Sequence, residues 1–419
     1  MQTAVAKFGG TSVAQHIECI DAIIRSQDIF RKYIVVSAPG RRRAEDSKVT
    51  DLLLSLRADP SDARIDDIIS RYRHICDDAT FLAKSRRDLV GRLKRNDAAI
   101  AAFGEEMSAR AFAQRLGISY MDPPFILDPQ HGYDDATLQS MRDVTPPEGH
   151  VVIPGFFGFT EDGDIATFSR GGSDLTGAYM ASLFQVDVYE NFTDGPICAA
   201  SPKIVRDPQV ISEITYEELR NLSYSGFEVL HPRVMLATQQ QRIPVHVRGT
   251  EQFPEKGTRI VTHRHADLPI VGIAYRNGFG CFTLSFPGLN ETEGLMYQVH
   301  EEFHSQGVPV EHDLTGIDEV SIVVDTSRFG SASPDSIARG LHRRFDCSLD
   351  YQEDFGLLVV TGMGMRGRRG ISAEIETVLA DMGASIRFKT QTTRETSIIF
   401  GMHDSYGHDA VRALYAHFF

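Results

Sequence analysis

The chain has 419 residues, of which 42% are hydrophobic and 24% charged, and it carries a formal net charge of −14. That length and balance predict two or three globular domains, and the acidic excess argues against nucleic acid or an anionic membrane as a partner. No apolar run is long enough to span a bilayer, and the opening MQTAVAKFGGTS lacks the basic region and apolar core of a signal peptide, so the expected location is cytoplasmic.

Thr3-Ala4-Val5-Ala6 reads as a strand that runs into the glycine turn Lys7-Phe8-Gly9-Gly10-Thr11-Ser12. A helix is predicted from Ile17 to Phe30. A short β-branched strand, Tyr33 to Ala38, is ended by Pro39-Gly40. Arg41-Arg42-Arg43 reads as a solvated loop because opposite charges follow at Glu45-Asp46; a lid over the active site is the alternative. Helices are predicted over Ile65–Lys84 and Ala98–Leu116. Strands follow at Val151–Phe156 and Ile165–Phe168. The second run leads into another glycine turn, Ser169-Arg170-Gly171-Gly172-Ser173-Asp174, with a helix over Ser173–Phe184 behind it. Strands at Val186–Tyr189 and Ile243–Val247 flank helices at Tyr216–Ser223 and Arg233–Gln240. Continuous apolar strands alternating with helices imply an α/β/α sandwich around a mainly parallel sheet. Ligands of such sheets lie beyond the carboxyl ends of the strands, where both glycine turns are expected.

The character changes near Thr262-His263-Arg264-His265. Beyond it a repeat runs at a constant offset of 76 positions. Gly288, Gly294 and Gly307 recur as Gly364, Gly370 and Gly383. Leu295, Val299 and Phe303 recur as Ile371, Ile375 and Leu379, an apolar stripe at helical spacing. A repeat of this size predicts two similar small α+β domains. The expected division is 1–262, 263–340 and 341–419, with strand 269–275 free to complete the second copy, so that the two interleave. Neither copy carries a nucleophile–base pair, which points to sensing and assembly. The five cysteines are scattered without paired spacing, excluding a disulfide framework or a zinc site; Cys19 and Cys281 sit in apolar runs and are expected in cores.

The chemistry should gather at the two glycine turns. Glycine admits close backbone approach, and a helix start offers free N–H groups to an anion. Phosphoryl transfer asks mainly for positioning and charge cancellation. Lys7 is placed to reach β- and γ-phosphate oxygens. Arg170 offers a planar fork for a carboxylate. Asp174 can orient Lys7 or an acceptor, although Ser173 and Asp174 also suit plain N-capping. Phe103-Gly104-Glu105-Glu106-Met107-Ser108 opens a helix with two glutamates, of which one can hold a substrate ammonium and either can simply complement the helix dipole. The turn Thr193-Asp194-Gly195-Pro196 is a reasonable place for a nucleotide base and ribose, and equally an ordinary turn.

These residues, in this order, resemble the aspartate kinases of the amino-acid kinase superfamily. KFGGTS (7–12), SAPG (37–40), KVTDLL (48–53), FGEEMS (103–108), SRGGSD (169–174), GFEVLHPR (226–233) and PVHVRGT (244–250) all fit, and GMGMRGRRGISAEI (362–375) is similar to tandem ACT domains. The resemblance implies ATP-dependent phosphorylation of L-aspartate to 4-phospho-L-aspartate, the step toward lysine, threonine and methionine. It implies that Lys7 stabilises the transferring phosphoryl group and that Asp174 organises Lys7. Arg170, Glu105, Ser37, Thr50 and Ser173 would bind aspartate. Gly9, Gly10 and Ser12 would cradle phosphates, and Thr193, Asp194 and Lys203 would meet the nucleotide. Mg²⁺ would arrive with ATP, with no metal held by the protein alone.

Effector contacts would map to Leu289, Thr292, Leu295, Met296, Val310 and Glu311, for lysine or threonine. A homodimer or larger assembly through the ACT domains is expected. The sequence departs from the family's TDVxGxYxxDPR pattern: the loop is one residue shorter, with Cys198, Ser201 and Lys203 for the usual tyrosine, aspartate and arginine. Glu311 also stands where aspartate is common. Two rivals remain at this point: a superfamily kinase with another acceptor, and a catalytically weak amino-acid sensor.

Overall fold

The computed structural model describes residues 2–127, 145–168, 171–224, 230, 232–266 and 268–419. The chain divides into two compact units, the first built on residues up to Cys198, Val210–Ser223 and the stretch ending at His265, the second on Ala199–Gln209 and Ala266–Phe419.

The first unit holds an eight-stranded sheet. Its members are β1 (Thr3–Phe8), β2 (Phe30–Val36), β3 (Ser119–Tyr120), β4 (Val151–Pro154), β7 (Val188–Thr193), β8 (Glu213–Thr215), β9 (Val245–Gly249) and β10 (Thr258–Val261), in the order β3-β4-β2-β1-β7-β9-β10-β8. All neighbours are parallel except β9 and β10. β1 is buried along nearly its whole length, as a central strand covered by helices on both faces must be. Helices Ile17–Arg25, Asp62–Ser70 and Phe103–Leu116 supply Ile20, Ile68 and Phe112 to one large core against Phe8, Ile34 and Val152.

Two predicted helices are each split in two. Ile65–Lys84 becomes Asp62–Ser70 and Ala79–Arg92, because the Asp78 carboxylate accepts from the Phe81 amide at 2.8 Å and caps a new helix. Ala98–Leu116 becomes Asp97–Ala101 and Phe103–Leu116. The helix expected to reach Phe30 stops at Arg25, and Phe30 opens β2. A larger correction concerns Ile165–Phe168. Residues Ile165–Thr167 form β6 of a separate two-stranded antiparallel hairpin with β5 (Phe157–Phe159) and do not join the parallel sheet.

The second unit holds six antiparallel strands: β11 (Gly272–Ser285), β12 (Val310–Thr315), β13 (Glu319–Asp325), β14 (Ser348–Thr361), β15 (Ile386–Gln391) and β16 (Ser397–His403), in the order β12-β13-β11-β14-β16-β15. The 76-residue offset is expressed here directly: β11 and β14 are equivalent fourteen-residue strands that pair with each other. Each serves both copies. Ile270 and Ile273 pack with Ile371, Ile375 and Leu379, whereas Phe282 and Leu284 pack with Leu295, Val299 and Phe303. Ala200, Ile204 and Val205 add to the first of these cores. Cys281 is buried, but Cys19 is only half-buried, against expectation.

Among the described residues no helix is long and apolar enough to cross a membrane.

Candidate active site

The catalytic geometry begins at the carboxyl end of β1. In the sheet register Lys7 lies beside Val35 of β2 and Asn191 of β7. The chain then turns through Gly9-Gly10 into helix Gly10–Gln15, whose first N–H groups have no intrahelical acceptor. The turn after β2 comes unusually close: the Gly40 amide donates to the Gly10 carbonyl at 2.8 Å. A Cβ on Gly40 would stand 2.8 Å from the Gly10 carbonyl carbon, so only glycine allows the two loops to meet.

The second glycine turn enters helix Gly172–Leu183 through Gly171, which is left-handed at φ 71. Asp174 in the first turn of that helix pairs with Lys7, Nζ to Oδ1, at 2.6 Å. The Lys7 side chain is only 9% exposed. Asn191 Nδ2 donates to the same Asp174 oxygen at 3.2 Å.

Glu105 closes the far side. Gly104 lets the helix Phe103–Leu116 pack tightly on the turn after β2, since a Cβ there would lie 2.8 Å from the Ala38 Cβ. The Glu105 carboxyl accepts from the backbone N–H groups of Ala38 and of Glu105 itself, but burial dominates and pushes it up to about 8. Its Oε2 has no hydrogen-bond partner among the described residues. A buried polar atom without a partner calls for an explanation.

These groups enclose a cleft of about 370 Å³. Lys7, Gly10, Ser37, Thr50, Glu105, Ser173 and Asp174 all line it. So do Arg41 and Lys48, two exposed cations that add positive charge at the rim. Of the basic run, Arg42 pairs with Asp46 at 3.0 Å and only Arg41 faces the cleft.

Other expected site residues stand elsewhere. Gly9 is not among the cleft-lining residues but adjoins Lys7, where a Cβ would be 3.6 Å from Nζ. Ser12 is 1% exposed and its hydroxyl is shared with Thr250 at 2.7 Å, so it faces the protein and does not line the cleft. Thr193 ends β7 and Asp194 follows it; neither lines the cleft. Lys203 is exposed in the Ala199–Gln209 segment, which belongs to the second unit. Arg170 and Ser169 lie outside the described residues, as does most of 226–233.

In the second unit, Leu289 and Leu295 are buried in the first ACT-like core, and Met296 and Val310 pack on it. Thr292 donates to the Gly288 carbonyl at 3.3 Å. Glu311 pairs with Arg328 at 3.4 Å, and burial raises its carboxyl. The cleft neighbour that sequence reasoning missed is Asn191: Glu190-Asn191 breaks the apolar run of β7, but only the pairing of β7 with β1 brings it beside Lys7.

Profiles of known families agree with this architecture. The amino acid kinase family matches residues 2–249 and the ACT domain matches residues 358–418. Aspartokinase 3 of Bacillus subtilis (strain 168) is 32% identical over 447 aligned positions, covering 99% of this chain and 98% of that protein. The crystal structure of the Clostridium acetobutylicum aspartate kinase superposes with a TM-score of 0.89 at 30% identity, covering 99% of this chain and all of that one. A third likeness, to E. coli aspartokinase III crystallised with aspartate and ADP, has a TM-score of 0.76 at 21% identity, 99% of each chain being covered, and speaks for the fold. With a matching family profile over more than half its length and a full-length relative of this similarity, the chain belongs to the amino acid kinase family, among its aspartokinases.

Proposed function

We infer that this protein transfers the γ-phosphoryl group of ATP to the side-chain carboxylate of L-aspartate, giving ADP and 4-phospho-L-aspartate. The observation that carries the reading is the pair of buried Lys7 with partly exposed Asp174 in one cleft with the unpartnered carboxyl of Glu105. One end suits a phosphoryl group in transfer and the other an amino acid's ammonium.

In this reading a carboxylate oxygen of aspartate forms a bond to the γ-phosphorus as the bond from phosphorus to the β,γ-bridging oxygen breaks. The electron pair leaves on ADP. The acceptor is already an anion, so no proton need be removed. Lys7 meets the charge that spreads over the phosphoryl oxygens, and Asp174 holds its ammonium in place. Free N–H groups at the starts of helices Gly10–Gln15 and Gly172–Leu183 suit phosphate oxygens. Ser37, Thr50 and Ser173 line the acceptor region, and Glu105 holds the ammonium. Arg170 is assigned to a carboxylate of aspartate on its motif. Gly9 serves by letting the chain turn behind Lys7. Thr193, Asp194 and Lys203 remain assigned to the nucleotide by their place in the loop.

Mg²⁺ fits this arrangement as an ion carried by ATP. Magnesium commonly relies on phosphate oxygens and water. It would neutralise the phosphate charge alongside Lys7.

The regulatory reading is a cytoplasmic enzyme at the head of lysine and threonine synthesis. Lysine or threonine would bind around Leu289–Met296 and Val310–Glu311 and shift the population of active kinase. β12 and β15, the edges of the six-stranded sheet, are where a second copy would pair into a dimer. A coupled ADP-release assay tests the whole. ADP should form with aspartate but not with glutamate or acetylglutamate, and lysine or threonine at millimolar level should lower the rate. Effector binding by calorimetry without any aspartate-dependent ADP release would make the chain a sensor and refute the kinase reading.

A further inference from the structure

β7 presents Tyr189 and Asn191 on one face, two residues apart, and both reach Asp174. The Tyr189 hydroxyl donates to the Asp174 main-chain carbonyl at 3.2 Å. Asn191 Nδ2 donates to Asp174 Oδ1 at 3.2 Å, the oxygen that Lys7 Nζ meets at 2.6 Å. The helix carrying Asp174 is seated hard on this strand, because a Cβ at Gly177 would fall 2.6 Å from the Tyr189 ring. Asp174 is therefore held at two heights, by its backbone and by its carboxylate.

One atom in this bracket has nothing to do. Asn191 is 1% exposed, and its Oδ1 has no hydrogen-bond partner among the described residues. A buried, unmet acceptor calls for an explanation. Lys7 and Asn191 are paired residues of adjacent parallel strands, so their side chains leave the sheet on the same face. A lysine ammonium has three donors, and Asp174 takes only one of them.

We propose that Asn191 is a positioning residue for phosphoryl transfer: its amide NH₂ fixes the Asp174 oxygen that steers Lys7, and its amide oxygen, unmet in the free protein, is open to a second donor of the Lys7 ammonium during transfer. The inference rests on the kinase reading above. Asn191 touches no substrate; it acts through Asp174 and Lys7.

The test uses the full chain and two variants. Asn191→Leu keeps the branched outline, in a bulkier form, and removes both hydrogen-bonding functions. Asn191→Asp keeps the shape but replaces the donor to Asp174 with a competing carboxylate for Lys7. Each is assayed for aspartate-dependent ADP release over a range of ATP and aspartate concentrations up to saturation, with thermal unfolding followed alongside. The expected result is a fall in kcat of roughly tenfold or more for Asn191→Leu, the scale of a lost hydrogen bond to a charged group. KM for ATP and for aspartate should stay close to the parent values. Asn191→Asp should fall further. A structural role alone would lower the unfolding temperature without this split between kcat and KM. Parent-like kcat in either folded variant overturns the proposal, as does a rise in both KM values with kcat unchanged. If Asn191→Leu unfolds below the assay temperature, the nearly isosteric Asn191→Asp decides by the same criteria, and unfolding of both assigns Asn191 to stability and overturns the proposal. An inactive parent would instead sink the kinase reading, so the two failures are distinguishable.

Discussion

Glu105 should release a proton when aspartate binds. Its carboxyl is fully buried and lifted to about 8 by loss of solvation, so at pH 7 the free protein holds it mostly protonated. An ammonium placed against the unpartnered Oε2 favours the ionised form. Binding of aspartate at pH 7 should then expel nearly one proton, and at pH 9 almost none. Isothermal titration in buffers of different ionisation enthalpy measures this directly. The KM for aspartate should fall as pH rises toward 8 and level off above it.

The same displacement has a stability signature of known sign. The folded chain keeps a proton that the unfolded chain releases between pH 4.5 and 8. Stability is therefore lost as pH rises through that window, by roughly 1.4 kcal/mol per pH unit, or about 5 kcal/mol by pH 8. Glu105→Gln cannot ionise. Relative to the parent it should gain stability across the same window, by an amount reduced by about 1–3 kcal/mol for its own buried amide, while its KM for aspartate rises and loses its pH dependence. A stability difference that does not change between pH 5 and 8, together with aspartate binding that moves no proton at pH 7, would refute the reasoning.

Lys7→Met should lower kcat by roughly 10²–10³-fold and leave effector binding in the second unit intact, read by ADP release and by calorimetry. Ser12→Ala should cost about 1 kcal/mol of stability through the lost Ser12–Thr250 hydrogen bond with KM for ATP unchanged; a large rise in that KM would return Ser12 to the phosphate cradle. Gly40→Ala should separate the two loops, because its new Cβ meets backbone at 2.8 Å that cannot swing aside. Loss of about 1–3 kcal/mol with reduced kcat is expected, and a parent-like variant would show that the contact does not position the site.

Much of this was legible in the sequence because the signals are local. The glycine turns announce themselves through residue type. The regulatory repeat shows because equivalent residues such as Leu295 and Ile371 keep one offset along the chain. The split at Asp78 went unread, although an aspartate three residues before Phe81 is a local N-cap signal. What could not be read depends on sheet register. Asn191 becomes a neighbour of Lys7 only when β7 pairs with β1, across more than 180 residues. Ser12 and Thr250 meet for the same kind of reason. Ile165–Thr167 is as apolar as a core strand, and only its pairing with Phe157–Phe159 places it in a hairpin.

The charge of the whole chain sharpens the role of Glu105. A protein of net charge −14 must draw in ATP and an acidic amino acid, both anions. The cleft manages this locally: Asp174 is cancelled by Lys7, and Arg41 and Lys48 stand at the rim. An ionised Glu105 in the empty cleft would undo part of that positive field, and burial keeps it protonated until an ammonium arrives. In the proposed reading the carboxyl would present a neutral wall to incoming phosphate and a charged partner to the amino acid. A ligand lacking the ammonium would leave Glu105 protonated and gain nothing from it, so under that reading this one buried group would discriminate an α-amino acid from a simple dicarboxylate.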